Sequence, residues 1–114
     1  MPDPTPDTTP MPRIVLTTVA NIDEANRLAR ALVEEQLAAC VSLVPGVQSV
    51  YRWQGQVESA SEILLLIKTS GEQLAALEAR VHQLHSYETP EFLVINVDGG
   101  SAGYLDWIKL GLRN

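Results

Sequence analysis

The run Glu62-Ile63-Leu64-Leu65-Leu66-Ile67-Lys68 is apolar throughout its interior and closed by a charge at each end. It is too short to cross a bilayer and short for a helix. Its β-branched Ile63 and Ile67 and the Thr69-Ser70-Gly71 stop after it predict a strand. Side chains alternate across a sheet, so Ile63, Leu65 and Ile67 share one face and Leu64 and Leu66 the other. Both faces are apolar, and both need cover. The rest of the chain has to supply helices for one side; whether it covers the second decides if the chain works alone.

Residues 1–12 are rich in Pro, Asp and Thr, with two Met as their apolar content, and are expected to form a disordered tail. Residues 13–114 read as a single domain. Arg13–Val19 is a β-branched first strand. Asn21, with Glu24 three residues on, predicts a capped helix running to about Ala38, with Ala25, Leu28, Ala29, Leu32 and Leu37 on its apolar face and Glu24 largely on the wet side. Val41–Trp53 is a second strand, bent at Pro45-Gly46. Gln54-Gly55 makes a tight turn, and Gln56–Ala60 returns into the central run as a long hairpin. Ser70 is placed to cap a second helix to about His85, and Pro90 prevents the helix from continuing through the next segment. Phe92–Val97 is a fourth strand, and Ser101 opens a short last helix.

The order β-α-β-β-α-β plus a trailing helix is the split βαβ, ferredoxin-like arrangement of the α+β class. Its two main helices cover one sheet face. The final helix is too short for the other, so the expected cover is another copy of the chain.

Composition narrows the function. A hydrophobic content of 46% over 114 residues fits one globular domain. The formal net charge of −6 leaves no basic surplus for nucleic acid or an anionic membrane. No stretch is long enough for membrane insertion. A single cysteine forms no intrachain disulfide, and no basic-then-apolar leader is visible, so a cytoplasmic location is expected.

Five segments carry a resemblance: Leu37-Ala38-Ala39-Cys40-Val41, Ser49 through Gly55, Glu62 through Thr69, His85-Ser86-Tyr87-Glu88-Thr89-Pro90-Glu91, and Tyr104-Leu105-Asp106-Trp107-Ile108. In order and spacing they resemble the CutA family of divalent-cation tolerance proteins, from Arg13 to about Leu112. The resemblance implies a cytoplasmic homotrimer, similar in architecture to PII signalling proteins, with a role in tolerance to divalent metals, copper especially. Ser86 and Thr89 depart from the family pattern, which has a Pro and an apolar residue there.

His85, Glu88 and Glu91 offer imidazole and carboxylate oxygen to a divalent cation such as copper, with Cys40 as a thiolate candidate; the alternative for His85 is to cap its helix, and for Cys40 to sit in the core. Tyr51, Trp53 and Tyr87 are candidates for an intersubunit pocket, with Lys68 as a counter-charge for an anion, or else for contacts between copies. No nucleophile is placed beside a base, no phosphate-loop pattern is present, and no enzyme activity or required cofactor is expected. Three readings result: a metal-responsive trimer, a PII-like trimer binding a small anion, and an enzyme using His85 and Glu91 as acid and base. The acidic balance and the motifs favour the first.

Overall fold

The computed structural model describes residues 11–113. Four strands and three helices follow in the order β1 (Pro12–Val19), α1 (Ile22–Glu34), β2 (Cys40–Trp53), β3 (Gln56–Ser70), α2 (Leu74–Leu84), β4 (Leu93–Asn96) and α3 (Ala102–Leu110). One antiparallel sheet has the spatial order β2-β3-β1-β4. The apolar run is the middle of β3, flanked by β1 and β2, so its polar backbone groups are paired on both edges.

One face of the sheet is covered over its central strands. Val15, Val19, Leu65 and Ile67 pack with Ala25, Leu28 and Leu32 of α1, Leu77 and Val81 of α2, and Leu37 and Ala38 after α1. A two-toothed Arg80–Glu35 contact, Nε donating to Oε1 at 2.9 Å and Nη2 to Oε2 at 2.9 Å, ties α2 to the end of α1. It holds the Glu35 carboxyl below the usual carboxylate range. The other face presents Ile14, Leu16, Leu64 and Leu66, only partly buried, beside the exposed Leu93 and Ile95. The register aligns Leu93, Leu16 and Leu66 in one row and Ile95, Ile14 and Lys68 in the next. No helix among the described residues is long and apolar enough to cross a membrane.

Several boundaries differ from the sequence reading. Helix α1 stops at Glu34, four residues early, because Gln36 takes a left-handed conformation (φ 59°) and turns the chain out. Leu37 and Ala38 are buried after that turn; both backbone N–H groups donate to Leu32 O. Pro12 belongs to β1, paired with Ser70, so the sheet begins inside the segment expected to be a tail; positions 1–10 of that segment lie outside the described residues. The second helix opens with a 3-10 turn, Gly71–Gln73, without a side-chain cap from Ser70, and Ser101 gives none to α3. Strand β4 is shorter than expected, and all four of its residues are exposed. The bend at Pro45-Gly46 is a bulge: register jumps from Val44↔Leu64 to Val47↔Glu62, with Gly46 at φ 74°. Gln54 (φ 49°) and Gly55 (φ 79°) form the hairpin turn.

Candidate functional site

The bulge and the turn carry the β2–β3 hairpin past the helices. At its base the chain leaving α2 folds back against β1 and β3. Between them lies a cleft of about 970 Å³, lined by Tyr51 and Trp53 of β2, Glu62 of β3, and Tyr87, Glu88 and Glu91 of the loop, among others. Tyr51 and Trp53 are two residues apart on one strand, so they project to the same side.

His85 ends α2. Its backbone N–H donates to Val81 O, and its backbone is extended (φ −77°, ψ 141°), which closes the helix. Its side chain is buried, with both ring nitrogens engaged. Nε2 lies 2.8 Å from Thr18 O, which can only accept. The Tyr87 N–H donates to Nδ1 at 3.0 Å. The pattern is that of the imidazole protonated at Nε2. Glu24 Oε2 is 3.7 Å from Nδ1. Since Nδ1 already accepts, that contact is proximity and not a charge-assisted bond.

Glu24 is not on the wet side; it is 5% exposed. Asn21 caps α1 as expected, its Oδ1 accepting from the Glu24 N–H at 2.9 Å. The Glu24 carboxylate, however, crosses to the loop, where it accepts from the Ser86 N–H (3.0 Å) and Ser86 hydroxyl (2.8 Å). Here the departure from the family pattern has a local use, because a Pro at position 86 has neither donor. Next to it, the Tyr87 hydroxyl donates to Glu62 Oε2 at 2.9 Å, and the Tyr87 ring tilts against His85 with centroids 4.8 Å apart. Partial burial, then the Glu62 hydrogen bond and charge, push the Tyr87 phenol up to about 12. Thus α1, β1, β3 and the loop are joined through five side chains, Glu24, Glu62, His85, Ser86 and Tyr87. Sequence reading missed Glu24, Glu62 and Ser86 as members.

Tyr51, Trp53 and Tyr87 therefore come together, with Glu88 and Glu91 on the same cleft. His85 stands behind Tyr87. Lys68 does not join them. It lies six residues along β3 from Glu62, about 20 Å at the usual rise. There its Nζ donates to Ser42 Oγ at 3.0 Å and lies 3.8 Å from Cys40 Sγ. Cys40 is half-buried at the start of β2, apart from the loop. His82 is exposed on α2, its Nδ1 2.9 Å from Glu78 O. Among the described residues, no three His, Cys, Asp or Glu side chains converge to hold a metal ion.

Comparison with known proteins bears on this geometry. The family model of the CutA1 divalent ion tolerance protein matches residues 13–110. The divalent-cation tolerance protein CutA of Thermus thermophilus is 46% identical over 99 residues, covering 87% of this chain and 96% of its own. Its solved structure superposes with a TM-score of 0.88 at 45% identity, covering 90% of this chain and all of the other. The chloroplastic CutA of Arabidopsis thaliana is 46% identical over 89% of this chain, which spans only 56% of that relative. An Archaeoglobus fulgidus structure named as a periplasmic divalent cation tolerance protein superposes at a TM-score of 0.87 with 35% identity, over 90% of this chain and all of that one. The names of two relatives thus point to compartments other than the expected cytoplasm. With a family match over nearly the whole described chain and relatives sharing close to half its residues, this chain belongs to the CutA1 divalent ion tolerance family.

Proposed function

We propose that the chain works as a cytoplasmic homotrimer of ferredoxin-like subunits, PII-like in assembly, that binds copper(II) or another divalent cation. The observation that carries the reading is the second sheet face. Ile14, Leu16, Leu64, Leu66, Leu93 and Ile95 form an apolar surface that the single chain leaves partly or largely exposed. Faces of this kind are buried in obligate assemblies. The trimeric count comes from the family resemblance, not from the single chain.

For the cation, the carboxylates of Glu88 and Glu91 are the accessible donors. His85 would have to release the Tyr87 N–H before Nδ1 could serve a metal. A chelate within one chain is short of convergent ligands among the described residues, so the proposed site is completed by a second copy. The anion-binding alternative lacks its counter-charge at the cleft, since Lys68 is bonded to Ser42 elsewhere. The test is calorimetric titration with copper(II) after the molar mass is established by light scattering. Glu88→Gln with Glu91→Gln is expected to weaken binding by about tenfold or more while sparing the assembly. Affinity unchanged in that variant, or an assembly mass of a single chain, would overturn the reading.

A further inference from the structure

The far half of the β2–β3 hairpin stands apart from the rest of the chain. Strand β1 ends its pairing at Val19↔Ile63, so the seven pairs from Val47↔Glu62 to Trp53↔Gln56 form a two-stranded arm, roughly 20 Å long at the usual rise. None of its residues belongs to the apolar core, and Val50, Trp53 and Val57 are exposed on it. Two-stranded ribbons are marginal by themselves. The arm is rooted at the Val44–Val47 bulge, where a Cβ at Gly46 would meet no atom within 4 Å, so no packing resists bending there. Its own side-chain bonds, Ser61 Oγ to Gln48 Oε1 and Arg52 Nη1 to Gly55 O, stay within it. Among the described residues, one side-chain hydrogen bond joins it to the rest of the chain. The Tyr87 hydroxyl donates to Glu62 Oε2 at 2.9 Å, at the first pair beyond the bulge. The holding end of that bond is itself fixed, since the Tyr87 N–H donates to His85 Nδ1 and the preceding Ser86 donates twice to Glu24 of α1.

We propose that the Tyr87–Glu62 bond is a latch that sets the angle between arm and sheet, so that the arm of one copy meets a second copy already oriented. Tyr87 and Glu62 are positioning residues in this device. A bond at the pivot restricts the whole arm, because any rotation at the bulge is magnified toward Trp53 at the tip. With the bond broken, the arm samples a range of angles, and association has to order it. By alternation Glu62 lies on the side of Leu64 and Leu66, the sheet face proposed to meet other copies, so the latch stands at the border of that contact. Its purpose rests on the proposed homotrimer; the arm and the bond belong to one chain.

The test uses the full chain and three variants: Tyr87→Phe and Glu62→Ala, which remove the bond, and Glu62→Gln, whose amide oxygen still accepts it. Amide hydrogen exchange is read at neutral pH, and light scattering follows reassembly after dilution from urea. Loss of the bond is expected to speed exchange over residues 48–61 about fivefold, while residues 63–70 stay within about twofold of the parent. Reassembly is expected to slow several-fold in Tyr87→Phe and Glu62→Ala and to end at the parent's mass. Glu62→Gln is expected to follow the parent in both measurements. If Glu62→Ala fails to fold, Tyr87→Phe, which keeps the ring, carries the comparison. Faster exchange along the whole chain would overturn the proposal, since that is what a merely structural bond predicts. So would faster exchange in the arm with reassembly unchanged, or a Glu62→Gln variant as slow as Tyr87→Phe, which would assign the effect to charge. A parent with the mass of one chain would overturn the homotrimer, and with it the purpose of the latch, whatever the exchange shows.

Discussion

Ser86 shows how a single side chain can hold a loop against a helix. Its two donors meet one buried carboxylate, Glu24, so truncation leaves that charge under-satisfied. Ser86→Ala is expected to cost about 1–2 kcal/mol in urea unfolding, and Ser86→Thr much less. A loss within a few tenths would mean that water replaces the hydroxyl. Tyr87 gives a pH signature. Its phenol is raised from the ordinary 10.0 to about 12 in the folded chain, so the unfolded chain releases its proton first. Its contribution to stability is present below pH 10 and is lost as pH rises through about 12. Tyr87→Phe should therefore flatten the fall in stability across that window relative to the parent, read by chemical denaturation at successive pH values; identical slopes would contradict the raised phenol. The aromatic members of the site were legible because Tyr51 and Trp53 share a strand face and Tyr87 lies in a distinctive segment. Glu24 and Glu62 were not. A Glu in a first helical turn or at the end of an apolar run reads as a surface charge, and the contact that buries Glu24 lies 62 positions away.

Helices and strands were legible wherever pattern and punctuation agreed. The central run was predicted by its β-branched residues and the Thr69-Ser70-Gly71 stop, the bend at Pro45-Gly46 by its proline, and the hairpin turn by a glycine suited to positive φ. The end of α1 was not, because Leu37 and Ala38 continue the apolar pattern while the backbone has already left the helix. The turn depends on Gln36 at φ 59°, a conformation in which a Cβ is crowded and Gly is at ease. Gln36→Gly is accordingly expected to stabilise the fold by about 0.5–1 kcal/mol, the relief of left-handed strain exceeding the entropy that glycine adds to the unfolded chain. Its side chain is exposed, so little packing is lost. A lower urea midpoint for Gln36→Gly would show that unfolded-state entropy dominates at this helix end. Strand β4 is the converse case. Its apolar residues predicted a covered strand, yet a single chain leaves all four exposed, and the missing cover is not a property of local sequence.

That exposure sets the test for the molecule as a whole. Leu93 and Ile95 are 55% and 45% exposed in the single chain, on the edge strand and on the sheet face opposite α1 and α2. If the chain worked alone, lysines at both positions would be tolerated, since edge strands commonly carry them. If copies bury this face, the same lysines would place charges in an apolar contact without partners, a cost of several kcal/mol per site. Leu93→Lys with Ile95→Lys is therefore expected to abolish assembly. The parent should scatter light with close to three times the 12.5 kDa chain mass, and the variant with one chain mass or as aggregate. Thermal stability separates the causes. Where folding is linked to association, the parent's melting temperature rises with protein concentration, and a monomeric variant loses that dependence. A variant that kept the parent's mass and melting curve would show that the uncovered face is not where copies meet. The apolar row Leu93, Leu16 and Leu66 would then have to be stable against water in a single chain, contrary to the reading in which the central run's second face is what makes this chain assemble.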